Sequence, residues 1–166
     1  QYYRTEYADD FFTVVPCNFF CEYSSFEGDR AGVVTSLIHR INHAKEEKHS
    51  EVVVWGTGRA CREFLNSKDV ANACIWLMKN PTKYPLINIG RGHEYTIRQT
   101  AEMIKKVVGY EGRLVFDSNK PEGRLHMQLN TEKIFKTGWM PQMDLEESIR
   151  DAYQWYLSTR KGKNND

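Results

Sequence analysis

The sequence has no excess of charge of either sign: 23 lysines and arginines stand against 22 aspartates and glutamates, a formal net charge of +1. That balance argues against nucleic-acid and polybasic membrane binding, because neither has the electrostatic driving force it needs. Long apolar runs are missing too. The longest, at 11–16 and 51–55, have the length of strands and fall far short of a bilayer span. No C-x-x-C pair occurs among Cys17, Cys21, Cys61 and Cys74, so a zinc site is not expected, nor is a disulfide framework in a chain of 166 residues. Reduced, buried thiols in a cytoplasmic protein are expected instead. There is no secretory leader pattern, and the chain begins Gln1-Tyr2-Tyr3 without a Met, which reads as a sequence cut from something longer.

What is present is an ordinary globular composition, 40% apolar, with alternating strand and helix signals. Phe11-Phe12-Thr13-Val14-Val15 ends at Pro16 and predicts a buried strand, followed by a loop over 17–32. Apolar residues at 33, 34, 37, 38, 41 and 44 predict a helix over 33–45. Val52 to Trp55 is a strand stopped by Gly56-Thr57-Gly58, and Glu63-Phe64-Leu65 is another. Ser67 is expected to cap a helix to about Lys79, with Val70, Ala71, Cys74, Ile75, Leu77 and Met78 inward. Leu86 to Ile89 reads as a strand. Thr96 with Gln99 forms a capping box for a helix that stops at Gly109. Arg113 to Phe116 reads as a strand and Thr131 to Lys136 as a short helix. Asp144 with Glu147 opens a final helix, and the charged stretch 160–166 is expected to fray. Strands alternating with helices give an α/β class.

Most local motifs fail on inspection. Gly90-Arg91-Gly92 imitates a dinucleotide turn, but Tyr95 fills the position where the third small residue must let helix and strand approach. Gly56-Thr57-Gly58 fails likewise at Cys61. His39 and His43 lie one helical turn apart without an H-E-x-x-H pattern or a third ligand, and read as a solvated face. No tyrosine has a lysine four residues on. Tyr156 with Arg160 is the nearest approach, and a fixed cation of different reach cannot substitute. More informative is Trp55 at a strand end, followed across a glycine turn by Arg62, with Arg40 on the preceding helix. An aromatic face can stack a base, and a guanidinium can pair with a phosphate.

The order of these pieces resembles GDP-L-fucose synthases. The resemblance rests on Val52-Val53-Val54-Trp55-Gly56-Thr57-Gly58 with Arg62-Glu63-Phe64-Leu65, and on Ile87-Asn88-Ile89-Gly90 with Thr96-Ile97-Arg98. It continues through Val107 to Gly112, Val115-Phe116-Asp117, Lys120-Pro121, Gly138-Trp139 and Tyr153 to Leu157, over essentially the whole chain. That family belongs to the extended short-chain dehydrogenases; its members epimerise GDP-4-keto-6-deoxy-D-mannose at C3 and C5, then reduce C4 with NADPH. The resemblance implies the C-terminal part of such a fold: the last Rossmann strands plus the small substrate-binding α/β domain. Residues 1–166 would be one substrate-binding region, without the dinucleotide-binding half. It places Arg40, Trp55 and Arg62 where the family holds the GDP of its substrate, and Glu122 at a further substrate contact. Pro16-Cys17-Asn18-Phe19 would lie against the nicotinamide of NADP(H), with Asn18 counted on the substrate side as well.

The departures bear on activity. The family's glycine-rich loop, its Tyr-x-x-x-Lys group and its acid/base Cys lie upstream of Gln1, so NADP(H) binding by this chain alone is not expected. Gly32 stands where the family has a His acid/base candidate, Phe20-Cys21-Glu22 replaces Y-G-P, and Lys120-Pro121-Glu122-Gly123-Arg124-Leu125-His126-Met127 replaces K-P-D-G-T-P-R-K. The expectation is therefore a GDP-sugar-binding portion of an epimerase/reductase, incomplete as an enzyme alone and associated with itself or with a partner chain that covers its open sheet edge. The alternative is a non-catalytic relic that acts as a binding or assembly module.

Overall fold

The computed structural model describes residues 2–7 and 11–163. In chain order the elements are α1 (Tyr2–Tyr7), β1 (Thr13–Pro16), β2 (Asn18–Phe20), α2 (Val33–Glu46), β3 (Glu51–Trp55), β4 (Cys61–Arg62), β5 (Phe64–Asn66) and α3 (Ser67–Lys79). They continue with β6 (Leu86–Ile89), β7 (Tyr95–Thr96), α4 (Ile97–Val108), β8 (Arg113–Asp117), α5 (Glu132–Phe135) and α6 (Leu145–Lys163). Three pairs run parallel, β1 with β6, β2 with β5 and β3 with β8; β4 and β7 are antiparallel. Parallel pairing demands long crossovers, and intervening helices supply them, as the α/β reading expects. No helix among the described residues is long and apolar enough to cross a membrane.

Two cores form. In one, α2, α4 and α6 bury Leu37, Ile38, Ile41, Ile104 and Ile149 together with Val52 and Val54 of β3. In the other, β1, β5 and β6 meet α3 and α5 through Leu65, Leu77, Ile87, Ile89, Ile134 and Trp139. The predicted face of α2 is buried at Val34, Leu37, Ile38, Ile41 and Ala44, while Val33, at its start, is 45% exposed. The Thr96–Gln99 capping box closes in both directions, and Gly109 ends α4 in the left-handed conformation at φ +70°. Asp144 Oδ1 accepts from Glu147 N–H at 2.7 Å to start α6. That helix continues to Lys163, into the stretch expected to fray; residues 164–166 lie outside the described residues.

Four local expectations are corrected. Strand β1 starts at Thr13 rather than Phe11, and β2 lies within the stretch read as a loop. With only three residues, β2 is too short to show a period; its ladder comes from β5, far along the chain. Asn66, not Ser67, caps α3, its Oδ1 accepting from Lys68 N–H at 2.9 Å. The inward face of α3 is also rotated: Asp69, Ala73 and Leu77 are buried, whereas Ile75 and Met78 are exposed and Ala71 faces out. Polar anchors set that rotation. The Asp69 carboxylate accepts from Gln142 and Met143 N–H, and Asn72 Oδ1 accepts from the Trp139 indole at 2.9 Å. An apolar period cannot register such hydrogen bonds.

Candidate functional site

Strand β3 delivers Trp55 to its C-terminal end, the edge of a parallel pair where ligands of open α/β sheets collect. Trp55 is 59% exposed. Beyond it, Gly56 and Gly58 both take positive φ, which turns the chain back into β4 and Arg62. Gly58 is required twice over: its φ is +76°, and a Cβ there would meet the Phe116 ring at 2.5 Å. The Arg98 guanidinium stacks on the other partner in this contact, 3.7 Å from the Phe116 centroid, and donates to Thr57 O at 3.3 Å. Nothing in the sequence marks Arg98 and Phe116 as site supports, because their contact joins α4 to β8 across the turn.

One cleft of about 300 Å³ is lined by Arg40, Trp55, Arg62 and Glu122, with Gly32, Val33 and Gly123 on its walls. A second, of about 360 Å³, is lined by Cys17, Asn18, Phe19 and Thr35. Gly32, Val33 and Arg62 line both, so the two clefts adjoin there. Four of the five residues predicted for the nucleotide sugar are thus brought together, and the fifth, Asn18, lines the neighbouring cleft. Three of the four predicted for the nicotinamide line the neighbouring cleft, and Pro16 ends the adjoining strand β1.

Two arginines line the cleft against one carboxylate, Glu122. The Arg40 guanidinium is half-buried and donates to Val53 O; burial lowers its pKa, yet arginine stays charged. Arg62 Nη1 donates to Cys61 O and Arg124 O, each at 2.6 Å, which fixes the fork against Gly123. Among the described residues neither arginine has a carboxylate within ion-pair distance. Two partly desolvated cations in a concave site, neither of them ion-paired, suit a phosphate-bearing ligand.

Glu122 is the one carboxylate on the cleft wall, and it is tied to the glycine turn rather than ion-paired with either arginine. Its carboxylate accepts from Thr57 Oγ1 at 2.8 Å, Thr57 N–H at 3.2 Å and Ala60 N–H at 3.4 Å. The Thr57 hydroxyl chiefly holds its pKa below the usual carboxylate range. The Gly56–Gly58 turn, which lacks the pattern of a nucleotide loop, therefore holds a carboxylate of its own chain. The second such turn does the same: buried Glu63 accepts from Gly92 N–H at 2.5 Å and from Leu129 N–H at 3.3 Å. In the sequence Glu63 stands only as part of a strand and a motif, since nothing local marks a glutamate as core.

In the second cleft, Asn18 Nδ2 donates to Glu63 O at 3.3 Å, which turns the amide along β5. Phe19 is 53% exposed. Cys17 is buried, and its thiol is pushed up to about 12 by burial first and Glu63 second, so it is no acid or base near neutrality. Gly32 presents no side chain, and a Cβ built there would meet only Thr35 Oγ1, at 3.9 Å. The site has room for a larger residue at that position. The remaining polar pairs belong elsewhere. His39, expected on a solvated face, is instead partly buried, with Nδ1 2.9 Å from Tyr156 Oη and 3.3 Å from Glu27. Arg160 donates to Tyr156 Oη at 3.0 Å, but burial raises the tyrosine pKa, the opposite of what a proton-transfer tyrosine needs.

Comparison with known proteins follows the same lines. Residues 1–90 match the NAD dependent epimerase/dehydratase family. The chain is 39% identical over 157 residues to the probable GDP-L-fucose synthase 1 of Oryza sativa subsp. japonica, covering 95% of this chain and 48% of that protein. It superposes on a GDP-6-OMe-4-keto-L-xylo-heptose reductase from Campylobacter jejuni with a TM-score of 0.86 and 27% identity, covering 95% of this chain and 57% of that one. It likewise matches a GDP-L-fucose synthetase from Naegleria fowleri bound to NADP, with a TM-score of 0.84 and 27% identity over 91% of this chain and 46% of that one. The chain spans about half the length of the curated relatives it matches. The mixed α/β architecture, the co-linear motifs and the matches over nearly its whole length agree: the chain belongs to the NAD dependent epimerase/dehydratase family.

Proposed function

We propose that the chain forms the GDP-sugar-binding part of a GDP-L-fucose synthase-like, NADPH-dependent epimerase/reductase and is incomplete as an enzyme on its own. The observation that carries this reading is the single cleft lined by Arg40, Trp55, Arg62 and Glu122. The exposed face of Trp55 stacks the guanine, while Arg62 and Arg40 take the diphosphate. Glu122 acts by holding the Thr57 turn that sets the distance between Trp55 and Arg62. The three relatives compared above share GDP in their names, two with L-fucose and one with a heptose, which fits a cleft built around the nucleotide. The sugar then points past Arg62 and Gly32 into the second cleft.

NADPH in such enzymes supplies the hydride that reduces C4. The residues present fit one end of it: Asn18 and Phe19 line a wall that a nicotinamide can face, and Pro16 and Cys17 shape the strand behind. They do not fit its phosphates, since the N–H groups of both glycine turns hold Glu122 and Glu63. NADP(H) therefore requires residues beyond these, and the exposed apolar side chains Val15, Phe19 and Leu86 on and beside β1 and β6 suit a covering element from a second copy or a partner chain.

A second reading, a binding or assembly module without catalysis, is favoured by Gly32, which has no group to move a proton. Titration of GDP and GDP-mannose by calorimetry separates the two, with Arg62→Ala as control. Binding near micromolar affinity, about −8 kcal/mol, that is lost in the variant supports the nucleotide-sugar site. Absence of binding in both proteins favours the module.

A further inference from the structure

We propose that Cys61, Glu94 and His126 form a binding site for a zinc-type divalent metal ion. One ligand atom from each lies within 4.8 Å of the other two. The three come from different segments. Cys61 opens β4, Glu94 immediately precedes β7, and His126 belongs to the stretch that crosses both. Backbone contacts already fix that crossing: Cys61 N–H donates to Leu125 O at 2.6 Å, and Met127 N–H donates to Glu94 Oε1 at 2.8 Å. The antiparallel pairing of Cys61 with Thr96 and Arg62 with Tyr95 holds the first two ligands on one side of a short ribbon.

The donor set is a thiolate, an imidazole and a carboxylate, each a ligand type that zinc takes, and three protein ligands leave a fourth position open to water. Zinc bonds of about 2.0–2.3 Å place tetrahedral ligand atoms roughly 3.3–3.8 Å apart. His126 Nδ1 and Glu94 Oε2 are already 3.1 Å apart, so only a side-chain adjustment of the order of an ångström brings in the sulfur. The Cys61 thiol now donates to Arg59 O at 3.4 Å; on binding, its proton passes to solvent and the sulfur turns to the metal. The histidine–glutamate hydrogen bond gives way to two metal bonds. Thiolate and carboxylate together neutralise a divalent ion, and the nearby Arg62 guanidinium is tied to Cys61 O and Arg124 O. The metal would clamp the 121–127 stretch, which carries Glu122 and Gly123, onto the β4–β7 ribbon. No sequence spacing announces this site because its ligands are brought together only by the fold.

The test is titration of the 166-residue chain with zinc chloride by calorimetry and with cobalt(II) by absorption, for wild type, Cys61→Ser and His126→Ala. His126 is 73% exposed, so its removal leaves the core intact, and far-ultraviolet circular dichroism checks the fold of both variants. The expected result is one metal per chain with a thiolate-to-cobalt charge-transfer band. Each variant should weaken zinc by about 100-fold or more, and the band should vanish in Cys61→Ser. Absence of binding, equal binding in all three proteins, or a band that survives Cys61→Ser overturns the proposal.

Discussion

The Glu122 carboxylate holds Thr57 by both of its donors, the hydroxyl at 2.8 Å and the backbone N–H at 3.2 Å. One acidic side chain thereby fixes the glycine turn that separates the exposed Trp55 ring from the Arg62 fork. Its role in the cleft is to set geometry, and among the described residues neither arginine has a carboxylate within ion-pair distance.

Removal of that anchor should loosen the turn and spare the cores. In Glu122→Ala, amide exchange over 56–60 should accelerate while α2 and α4 keep their protection. Because the Thr57 hydroxyl holds the folded carboxyl below its ordinary pKa of 4.5, the anchor is fully present above that pH. It is lost as the pH falls through the lowered folded value. Exchange at 56–60 measured against pH in the wild type should show this acid limb, and Glu122→Ala should lack it.

Gly58→Ala combines a backbone penalty with a collision. Its φ of +76° disfavours any Cβ, and the Phe116 ring occupies the space a Cβ would need. A loss of about 1–3 kcal/mol is expected from the backbone alone, with more from the displaced ring. Urea unfolding of the variant checks this. A change within error would show that the turn is freer than the Phe116–Arg98 stack implies.

The sequence made the architecture legible where patterns are local and long. Helix α2 shows its face through six apolar positions, and the Thr96–Gln99 box with Gly109 marks both ends of α4. Short or polar determinants were hidden. Strand β2 draws its order from β5, and α3 is rotated by Asp69 and Asn72. At the site, Arg40, Trp55 and Arg62 were legible as residue types suited to base and phosphate, and the fold brings them together. Glu63 and the Arg98–Phe116 stack were not, since each acts across the tertiary structure.

His39 should make stability fall on acidification. Burial is the largest influence and lowers its pKa below the ordinary 6.5, ahead of the opposing Glu27 and the repelling Arg160, His43 and Arg40. The unfolded chain therefore takes up the proton first. The stabilisation is fully present above about 6.5 and is lost as the pH falls from there toward the lowered folded value. Urea midpoints across that window should decline in the wild type and decline less in His39→Gln.

The cysteines should differ in reactivity. Cys17 is buried with its thiol pushed up to about 12. At Cys21 burial also raises the pKa, but hydrogen bonds with Ser67 and Ser24 outweigh it and leave the thiol lowered. Mass-spectrometric mapping after brief alkylation at neutral pH should find Cys21 modified well before Cys17. The reverse order would contradict the burial of Cys17 in the β1–β5–β6 core.

The central assignment is that Trp55 and the two arginines hold the GDP of a nucleotide sugar. Its most direct measurement is a calorimetric titration of GDP into wild type, Trp55→Ala and Arg40→Gln. Trp55 is exposed, so its truncation leaves the fold intact. One GDP per chain is expected, with a loss of about 1–3 kcal/mol, roughly 5- to 150-fold, on removal of the stacking ring and a similar loss on neutralisation of Arg40. GDP affinity unchanged by both substitutions, or no GDP binding by the wild type, would contradict it.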